Sequence, residues 1–217
     1  MSYPEKIFVT GTDTDIGKTV VSSILLSGLE AGYWKPIQAG RDPLTDIEFI
    51  KKVTKFPDSH FYEESYNLSE PMSPHAAAAI DEISISFDKI HVPEHSQKHL
   101  LIEGAGGLIV PVNDDQYIID LISYLGYPAL LIAKSGLGTL NHTLLSLEAL
   151  KARNITVFGV VLVGDKHESN EQAIIKYGKV DRLFRLPNLP KLTPESLKEA
   201  FHSHLKTPFY QSEQISE

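Results

Sequence analysis

Residues Gly11 to Thr19 read GTDTDIGKT, which is the phosphate-binding pattern G-x-x-x-x-G-K-T with one more residue between its two glycines. Gly11 and Gly17 permit a tight backbone whose N–H groups turn inward toward an anion. The Lys18 ammonium can reach the β- and γ-phosphates of a nucleotide, and the Thr19 hydroxyl can ligate Mg²⁺. This spacing therefore predicts a site for a nucleoside triphosphate.

Two acids could complete a magnesium site. Glu103 ends the apolar run His99–Glu103 and precedes Gly104-Ala105-Gly106-Gly107, whose glycines let the backbone pass close to a ligand. An acid in this place commonly holds Mg²⁺ directly or through water. Asp46 is the second candidate, although an acid early in a helix can equally be a capping residue.

Further charged residues have two interpretations each. Lys35 stands near the end of a short apolar run before Pro36. It either meets a phosphate or a carboxylated substrate, or extends its ammonium to the surface. Asp13 and Asp15 are unusual in a phosphate cradle. They either face Mg²⁺ or an amine substrate, or they point to solvent or cap the helix.

A second anion site is conceivable where Ser135-Gly136-Leu137-Gly138 opens a helical segment. Free backbone N–H groups at a helix start attract anions, and Thr139 or Asn141 could cap the helix or donate a hydrogen bond. The alternative is an ordinary flexible junction between a strand and a helix.

Composition narrows the class of protein. The chain has 217 residues and no cysteine, which excludes disulfides, thiolate catalysis and cysteine metal sites. Its net charge is −8, from 28 acids and 20 bases, which argues against nucleic acid as the main partner. We find neither a signal-peptide pattern nor about 18 uninterrupted apolar residues, so we expect a cytoplasmic protein with no membrane partner.

Apolar runs alternate with helical patterns, and most strand runs are continuous, as in strands that are buried on both faces of a parallel sheet. We predict one domain over residues 1–217, an α/β fold with a doubly wound, mainly parallel sheet and helices on both faces. The predicted strands are Lys6–Thr10, Tyr33–Pro36, His99–Glu103, Leu108–Val112, Ala129–Lys134, Thr156–Val163 and Leu183–Leu186. The predicted helices are Lys18–Ala31, Pro43–Thr54, Pro74–Ile80, Ile118–Leu125, Leu140–Arg153, Asn170–Tyr177 and Pro194–His204.

Five segments together resemble the dethiobiotin synthetase family, in its order and spacing, across about two-thirds of the chain. The segments are Gly11–Thr19, KPIQAG from Lys35, PMSPH from Pro71, EGAGG from Glu103 and GTLNH from Gly138. The resemblance implies a phosphate-loop NTPase fold and a ligase of biotin biosynthesis. It would use ATP as co-substrate and Mg²⁺ to join CO₂ to 7,8-diaminononanoate and close a ureido ring. A homodimer with shared sites is also implied.

The resemblance also implies a role for each matching residue. Lys35, Lys18, Asp15 and Thr14 would serve catalysis, with Lys35 on the carbamate and γ-phosphate and Asp15 facing the amines. The metal set would be Thr19, Asp46 and Glu103. The nucleotide would contact Thr12, Asp13, Thr14, Asp15, Ile16, Gly17, Lys18, Thr19, Glu103, Gly164, Pro187 and Asn188. The substrate would contact Thr14, Lys35, Ala39, Gly106 and, from the second subunit, Gly138, Thr139, Leu140 and Asn141.

Two positions depart from the family pattern. Ala39 stands where a Ser or Thr hydroxyl is common, so Gln38 or a backbone group would have to replace that contact. Gly164-Asp165 stands where an Asn-Asp pair reads adenine, so preference for ATP over other nucleotides is expected to be weak. A different class, a phosphate-loop switch or partition ATPase, usually carries an extra Lys where Thr12 and Asp13 stand. A nucleotide-binding regulatory domain without turnover is a third interpretation.

Overall fold

The computed structural model describes residues 2–212. Within that range the strands are β1 Lys6–Gly11, β2 Gly32–Trp34, β3 Ile37–Ala39, β4 Phe61–Tyr62, β5 Tyr66–Leu68, β6 Leu100–Glu103, β7 Ala129–Lys134, β8 Val157–Val163, β9 Arg182–Leu186 and β10 Tyr210–Gln211. The α-helices are α1 Lys18–Leu29, α2 Asp46–Thr54, α3 Pro74–Ile80, α4 Ile118–Leu125, α5 Thr139–Ala152, α6 Glu168–Gly178 and α7 Pro194–Ala200. Short 3₁₀ turns lie at Asp58–His60 and Phe87–Lys89, and a π-helical turn lies at Phe201–Leu205.

Eight strands form one twisted sheet in the order β10-β9-β8-β7-β1-β6-β2-β4, and β10 pairs antiparallel at one edge while the others run parallel. β3 and β5 form a separate parallel pair. Side chains of β1 alternate between the two faces: Ile7 and Val9 pack on the side of α1 and α7, and Phe8 packs on the side of α4. The doubly wound, mainly parallel sheet with helices on both faces is thus confirmed.

The strand order explains why the motifs meet. β1 lies at the middle of the sheet, between β6 and β7, and all three strands point the same way. Their carboxyl ends therefore share one edge, where ligands of open α/β sheets bind. Gly11, Glu103 and Lys134 end these strands there.

Leu108–Val112 is not a strand, so that prediction was wrong. The segment forms a turn, and Pro111 makes only an isolated bridge to Tyr117. Proline cannot donate a ladder hydrogen bond, and Ile109 is exposed, whereas Leu108 and Val112 are buried. The apolar run thus anchors a loop, which a strand-like composition does not reveal.

The carboxyl end of the chain folds back on α1. Gly28 in that helix allows close packing, because a Cβ there would lie only 1.9 Å from Cγ of Phe201. Phe201 begins the π-helical turn that ends at Leu205, whose carbonyl accepts a hydrogen bond from Tyr3 Oη at 2.7 Å. The predicted helix Pro194–His204 therefore changes its winding at Phe201 rather than continuing as an α-helix. No helix within residues 2–212 is long and apolar enough to cross a bilayer.

Candidate active site

The phosphate loop connects β1 to α1 as the motif predicts. Asp15 has φ 53° and Gly17 has φ 100°, so the backbone turns sharply before the helix. The first backbone hydrogen bond of α1 runs from Val21 N to Gly17 O, which leaves the earlier N–H groups available to an anion. The Lys18 ammonium donates to the carbonyl oxygen of Asp13 at 2.8 Å.

The glycine-rich segment after Glu103 lies directly against this loop. A Cβ at Gly107 would be 3.4 Å from the carbonyl oxygen of Thr12, and one at Gly106 would be 3.6 Å from the Thr14 hydroxyl. Gly106 also has φ 69°, which favours glycine. Two backbone segments can therefore flank one ligand with little side-chain bulk between them.

The three predicted metal ligands converge. The Thr19 hydroxyl is 2.5 Å from Asp46 Oδ1 and 3.0 Å from Glu103 Oε1. Glu103 is buried at the end of β6, whereas the Asp46 side chain is partly exposed at the start of α2. Three oxygens from three elements that lie far apart in the sequence thus surround one point, and oxygen ligands are those that Mg²⁺ prefers.

Lys35 is buried between these carboxylates. Its Nζ lies 2.9 Å from Asp46 Oδ2 and 3.5 Å from Glu103 Oε1. The interpretation of Lys35 as a surface lysine is therefore wrong, because its side chain is only 6% exposed. A buried ammonium needs compensating anions, and the two carboxylates supply them.

Burial and mutual attraction set the protonation of this group. Burial opposes the charge on Lys35, but Glu103 and Asp46 outweigh it and raise the Lys35 pKa. Burial raises the pKa of Glu103 against the attraction of Lys35, whereas Lys35 overcomes burial and lowers the pKa of Asp46. Burial lowers the pKa of Lys18, with Glu103 acting in the opposite direction. The site is thus a cluster of two lysines and two carboxylates whose charges influence one another.

Asp46 is free for the site because another residue caps its helix. Thr45 Oγ1 accepts from Glu48 N at 3.2 Å, and Thr45 N donates to Glu48 Oε2 at 2.8 Å, which is a capping box. The helix therefore starts at Asp46 and not at Pro43 as predicted. The interpretation of Asp46 as a capping acid is wrong.

The Gln38 side chain, which could replace the hydroxyl that Ala39 lacks, makes hydrogen bonds within the protein. Its Nε2 donates to Gly40 O at 2.8 Å, and its Oε1 accepts from Asp46 N at 3.2 Å. Both ends of the amide are therefore occupied in holding the start of α2. These contacts do not favour that replacement.

A cavity of about 830 Å³ opens beside the cluster. Ten of the predicted site residues line it: Thr14, Asp15, Gly17, Lys18, Thr19, Lys35, Ala39, Asp46, Glu103 and Gly106. Its remaining wall is largely apolar and includes Phe49, Met72 and Val110. Ile16 does not line the cavity, because its side chain is buried in the core.

The predicted base-binding residues lie at the ends of β8 and β9. Gly164 N donates to Leu186 O at 2.9 Å, which places Gly164 beside the start of the Pro187-Asn188 segment. Gly164 has φ 122°, and a Cβ there would lie 2.7 Å from Ser135 Oγ. This position therefore has no room for a side chain while Ser135 keeps its place.

The start of α5 does not line this cavity. Gly138 precedes the helix with φ 90°, and no side chain caps the helix. The prediction that Thr139 or Asn141 caps it is therefore wrong. Thr139 is buried with its Oγ1 3.1 Å from Thr143 Oγ1, whereas Asn141 is exposed. Gly138, Thr139, Leu140 and Asn141 are not part of the cavity lining.

One residue at the site was missed by the sequence analysis. Ser22 in α1 is fully buried, and its Oγ lies 2.5 Å from Glu103 Oε2. Its only sequence signal was its position one helical turn after Lys18-Thr19, which would place it on the same face of α1.

Comparison with known proteins agrees with this geometry. A family model described as an AAA domain matches residues 5–196. A putative plasmid partition protein from Borrelia burgdorferi bound to AMPPNP has a TM-score of 0.51 at 10% identity, covering 92% of this chain and 98% of that one. The MinC:MinD cell division complex from Aquifex aeolicus has a TM-score of 0.50 at 10% identity, covering 91% and 86%. The fold and the loop define a phosphate-loop NTPase-like protein.

Sequence relatives narrow this class to one family. An ATP-dependent dethiobiotin synthetase from Afipia carboxidovorans is 45% identical over 196 residues, which is 90% of this chain and 93% of the relative. One from Rhodopseudomonas palustris is 44% identical over 201 residues, which is 93% and 94% of the two chains. The chain belongs to the ATP-dependent dethiobiotin synthetase family, and it is an ATP-dependent ligase.

Proposed function

We propose that this protein joins CO₂ to 7,8-diaminononanoate with ATP and Mg²⁺ and closes the ureido ring of dethiobiotin, releasing ADP and phosphate. The observation that carries this proposal is the meeting of Lys18, Lys35, Thr19 and two carboxylates at the mouth of one cavity. The names of the relatives support ATP as co-substrate and dethiobiotin as product. We also propose that residues 1–217 act as one domain.

The reaction divides into three steps. One amine of the diamine adds to CO₂ and gives a carbamate and a proton. A carbamate oxygen then attacks the γ-phosphorus, and ADP leaves. The second amine attacks the carbonyl carbon of the resulting carbamic–phosphoric anhydride, the C–O bond to phosphate breaks and the ring closes. Because each step joins bound groups, alignment within the cavity supplies a large part of the rate.

The residues of the cavity have matching roles. Lys18 and the loop N–H groups hold the phosphates and stabilise charge on the transferring phosphoryl group. Lys35 lines the same cavity and attracts the carbamate and the γ-phosphate. Asp15 and Thr14 line the same cavity, where Asp15 attracts the amines. The apolar wall with Phe49, Met72 and Val110 suits the aliphatic chain of the diamine.

Thr19, Asp46 and Glu103 would hold Mg²⁺. Residues 2–212 contain no cluster of three His, Cys, Asp or Glu that could bind a metal by themselves. One hydroxyl and two carboxylates fit Mg²⁺, which takes few protein oxygens and completes its shell with phosphate oxygens and water. Bound there, Mg²⁺ supplies positive charge to the phosphate oxygens.

Nucleotide turnover that depends on the diamine is the decisive measurement. Purified protein would receive bicarbonate, Mg²⁺ and each of ATP, GTP and CTP, with or without 7,8-diaminononanoate. We expect phosphate release only with the diamine, formation of dethiobiotin, and similar rates among nucleotides because Gly164 offers no side chain to read the base. Hydrolysis at the same rate without the diamine would instead favour a switch or partition ATPase.

We further propose a homodimer in which α5 of each subunit completes the site of the other. Leu137 is fully exposed beside the helix start, and Leu145 on α5 is also exposed, which suits a helix that a second copy covers. Asn141 is exposed and lies outside the cavity of its own chain. In the dimer, it would bind the distant carboxylate of the diamine.

Asn141→Ala is expected to raise KM for the diamine about tenfold, the typical loss for one hydrogen bond to a charged group, and to leave KM for ATP unchanged. Steady-state kinetics measure both, and the exposed neighbour His142→Ala is the control. Co-expressed Asn141→Ala and Lys18→Ala chains should regain activity at low diamine, since one site of each mixed dimer is intact. An unchanged diamine KM, or a monomer by light scattering, would contradict the shared site.

A further inference from the structure

Three serines on α1 are buried, but only one of them contacts the site. Ser23 Oγ donates to Thr19 O at 2.8 Å, and Ser27 Oγ donates to Ser23 O at 2.8 Å. These are the local backbone contacts that serine normally makes inside a helix. Ser22 Oγ instead makes its hydrogen bond outside the helix, to Glu103 Oε2 at 2.5 Å.

This contact gives the two oxygens of Glu103 different partners. Oε2 accepts from Ser22, while Oε1 faces Thr19 Oγ1 at 3.0 Å and Lys35 Nζ at 3.5 Å. Ser22 and Glu103 are both essentially inaccessible to water, at 0% and 1% exposure. A carboxylate that is held at one oxygen cannot rotate freely, so the other oxygen stays directed at the reacting side.

No second hydroxyl does the same for Oε2 in the described part of the chain. Tyr33 on β2 is a second buried hydroxyl beside Glu103. Burial, the Glu103 charge and the closeness of the two side chains raise the Tyr33 pKa, but its Oη falls outside hydrogen-bond geometry. Thr19 contacts only Oε1 of Glu103. Ser22 is therefore the hydroxyl that holds Oε2, while Thr19 and Lys35 act on Oε1.

We propose that Ser22 is a positioning residue that fixes Glu103 so that a single oxygen of this carboxylate faces Mg²⁺ and the γ-phosphate. Partners that hold a metal-binding carboxylate typically change metal affinity or activity by about 10- to 100-fold when they are removed. The inference rests on the proposed metal role of Glu103, and it adds a residue that contacts neither substrate nor metal.

Ser22→Ala tests this role, and Ser27→Ala is its matched control, because both hydroxyls are buried on the same helix. Mn²⁺ binding in the presence of a non-hydrolysable ATP analogue would be followed by electron paramagnetic resonance, together with Tm and steady-state kinetics. We expect Ser22→Ala to weaken Mn²⁺ binding about tenfold and to raise the Mg²⁺ concentration for half-maximal rate, with an unchanged diamine KM. Ser27→Ala should keep the Mn²⁺ affinity of the original protein.

Ser22→Cys covers the case in which Ser22→Ala fails to fold, since its side chain has similar size and its thiol is a weak donor. It should weaken Mn²⁺ binding in the same direction. Equal Mn²⁺ affinity in Ser22→Ala and Ser27→Ala would overturn the positioning role while leaving the proposed function intact. Absence of Mn²⁺ binding in the unmodified protein would overturn the metal role and this inference with it.

Discussion

Lys18→Ala is expected to lower kcat by about a thousandfold or more while the fold survives. Lys18 is the first residue of α1, directly after the phosphate loop. Removing one charge-stabilising donor from phosphoryl or acyl transfer typically costs 10²- to 10³-fold or more. Its structural contacts are few, since its one hydrogen bond runs to the Asp13 carbonyl and burial already lowers its pKa. Replacing it therefore relieves an unfavourable burial of charge.

Two measurements separate these effects. Single-turnover kinetics with saturating ATP and diamine report the chemical step, and calorimetry reports stability. We expect a Tm within about 4 °C of the original, which corresponds to about 1 kcal/mol in a chain of this size. A near-normal kcat would reject the phosphate role of Lys18, and a large loss of Tm would show that the lysine is structural.

Lys35→Met should abolish activity and also destabilise the protein. Lys35 lies between Asp46 and Glu103, so methionine would leave two carboxylates close together without a cation. Removing one partner of a buried ion pair costs about 3–5 kcal/mol, because the remaining charge is still desolvated. At about 2–4 °C per kcal/mol, Tm should fall by roughly 10 °C.

The effect of Mg²⁺ on Tm distinguishes loss of the compensating charge from simple loss of packing. A divalent cation can replace the missing positive charge, and a ligand that binds only the folded state raises Tm. Thermal scans of Lys35→Met should therefore show a larger rise on addition of Mg²⁺ than scans of the original protein. Lys51→Met removes an exposed pair with Asp58 and should change stability by less than about 1 kcal/mol. A Lys35→Met variant with normal Tm would contradict the proposed charge compensation.

The sequence predicted the central architecture because its strands are long and continuous. β1, β6, β7, β8 and β9 lie within one residue of their predicted bounds at each end. β4 and β10 have two residues each, which is too short for any periodic pattern. β3 and β5 were also missed, since a three-residue pair depends on contacts between segments that lie far apart along the chain.

The site residues were also only partly predictable from the sequence. The phosphate loop could be predicted because the spacing of its glycines and its Lys-Thr pair determines a local backbone shape. Asp46 faces the cluster because Thr45 and Glu48 cap its helix. The identity of Asp46 alone could not decide between its two interpretations. Ser22 looks like Ser23 and Ser27 in the sequence, and only the position of Glu103 across the core separates them.

The space around Gly164 also limits how this enzyme could evolve. An Asn introduced there would need a backbone at φ 122°, which side chains rarely adopt, and its Cβ would meet Ser135 Oγ at 2.7 Å. The Ser135 side chain would have to rotate or be replaced to make room for the new side chain. The effect of a substitution at Gly164 should therefore depend on the residue at position 135, so the two positions are expected to be epistatic.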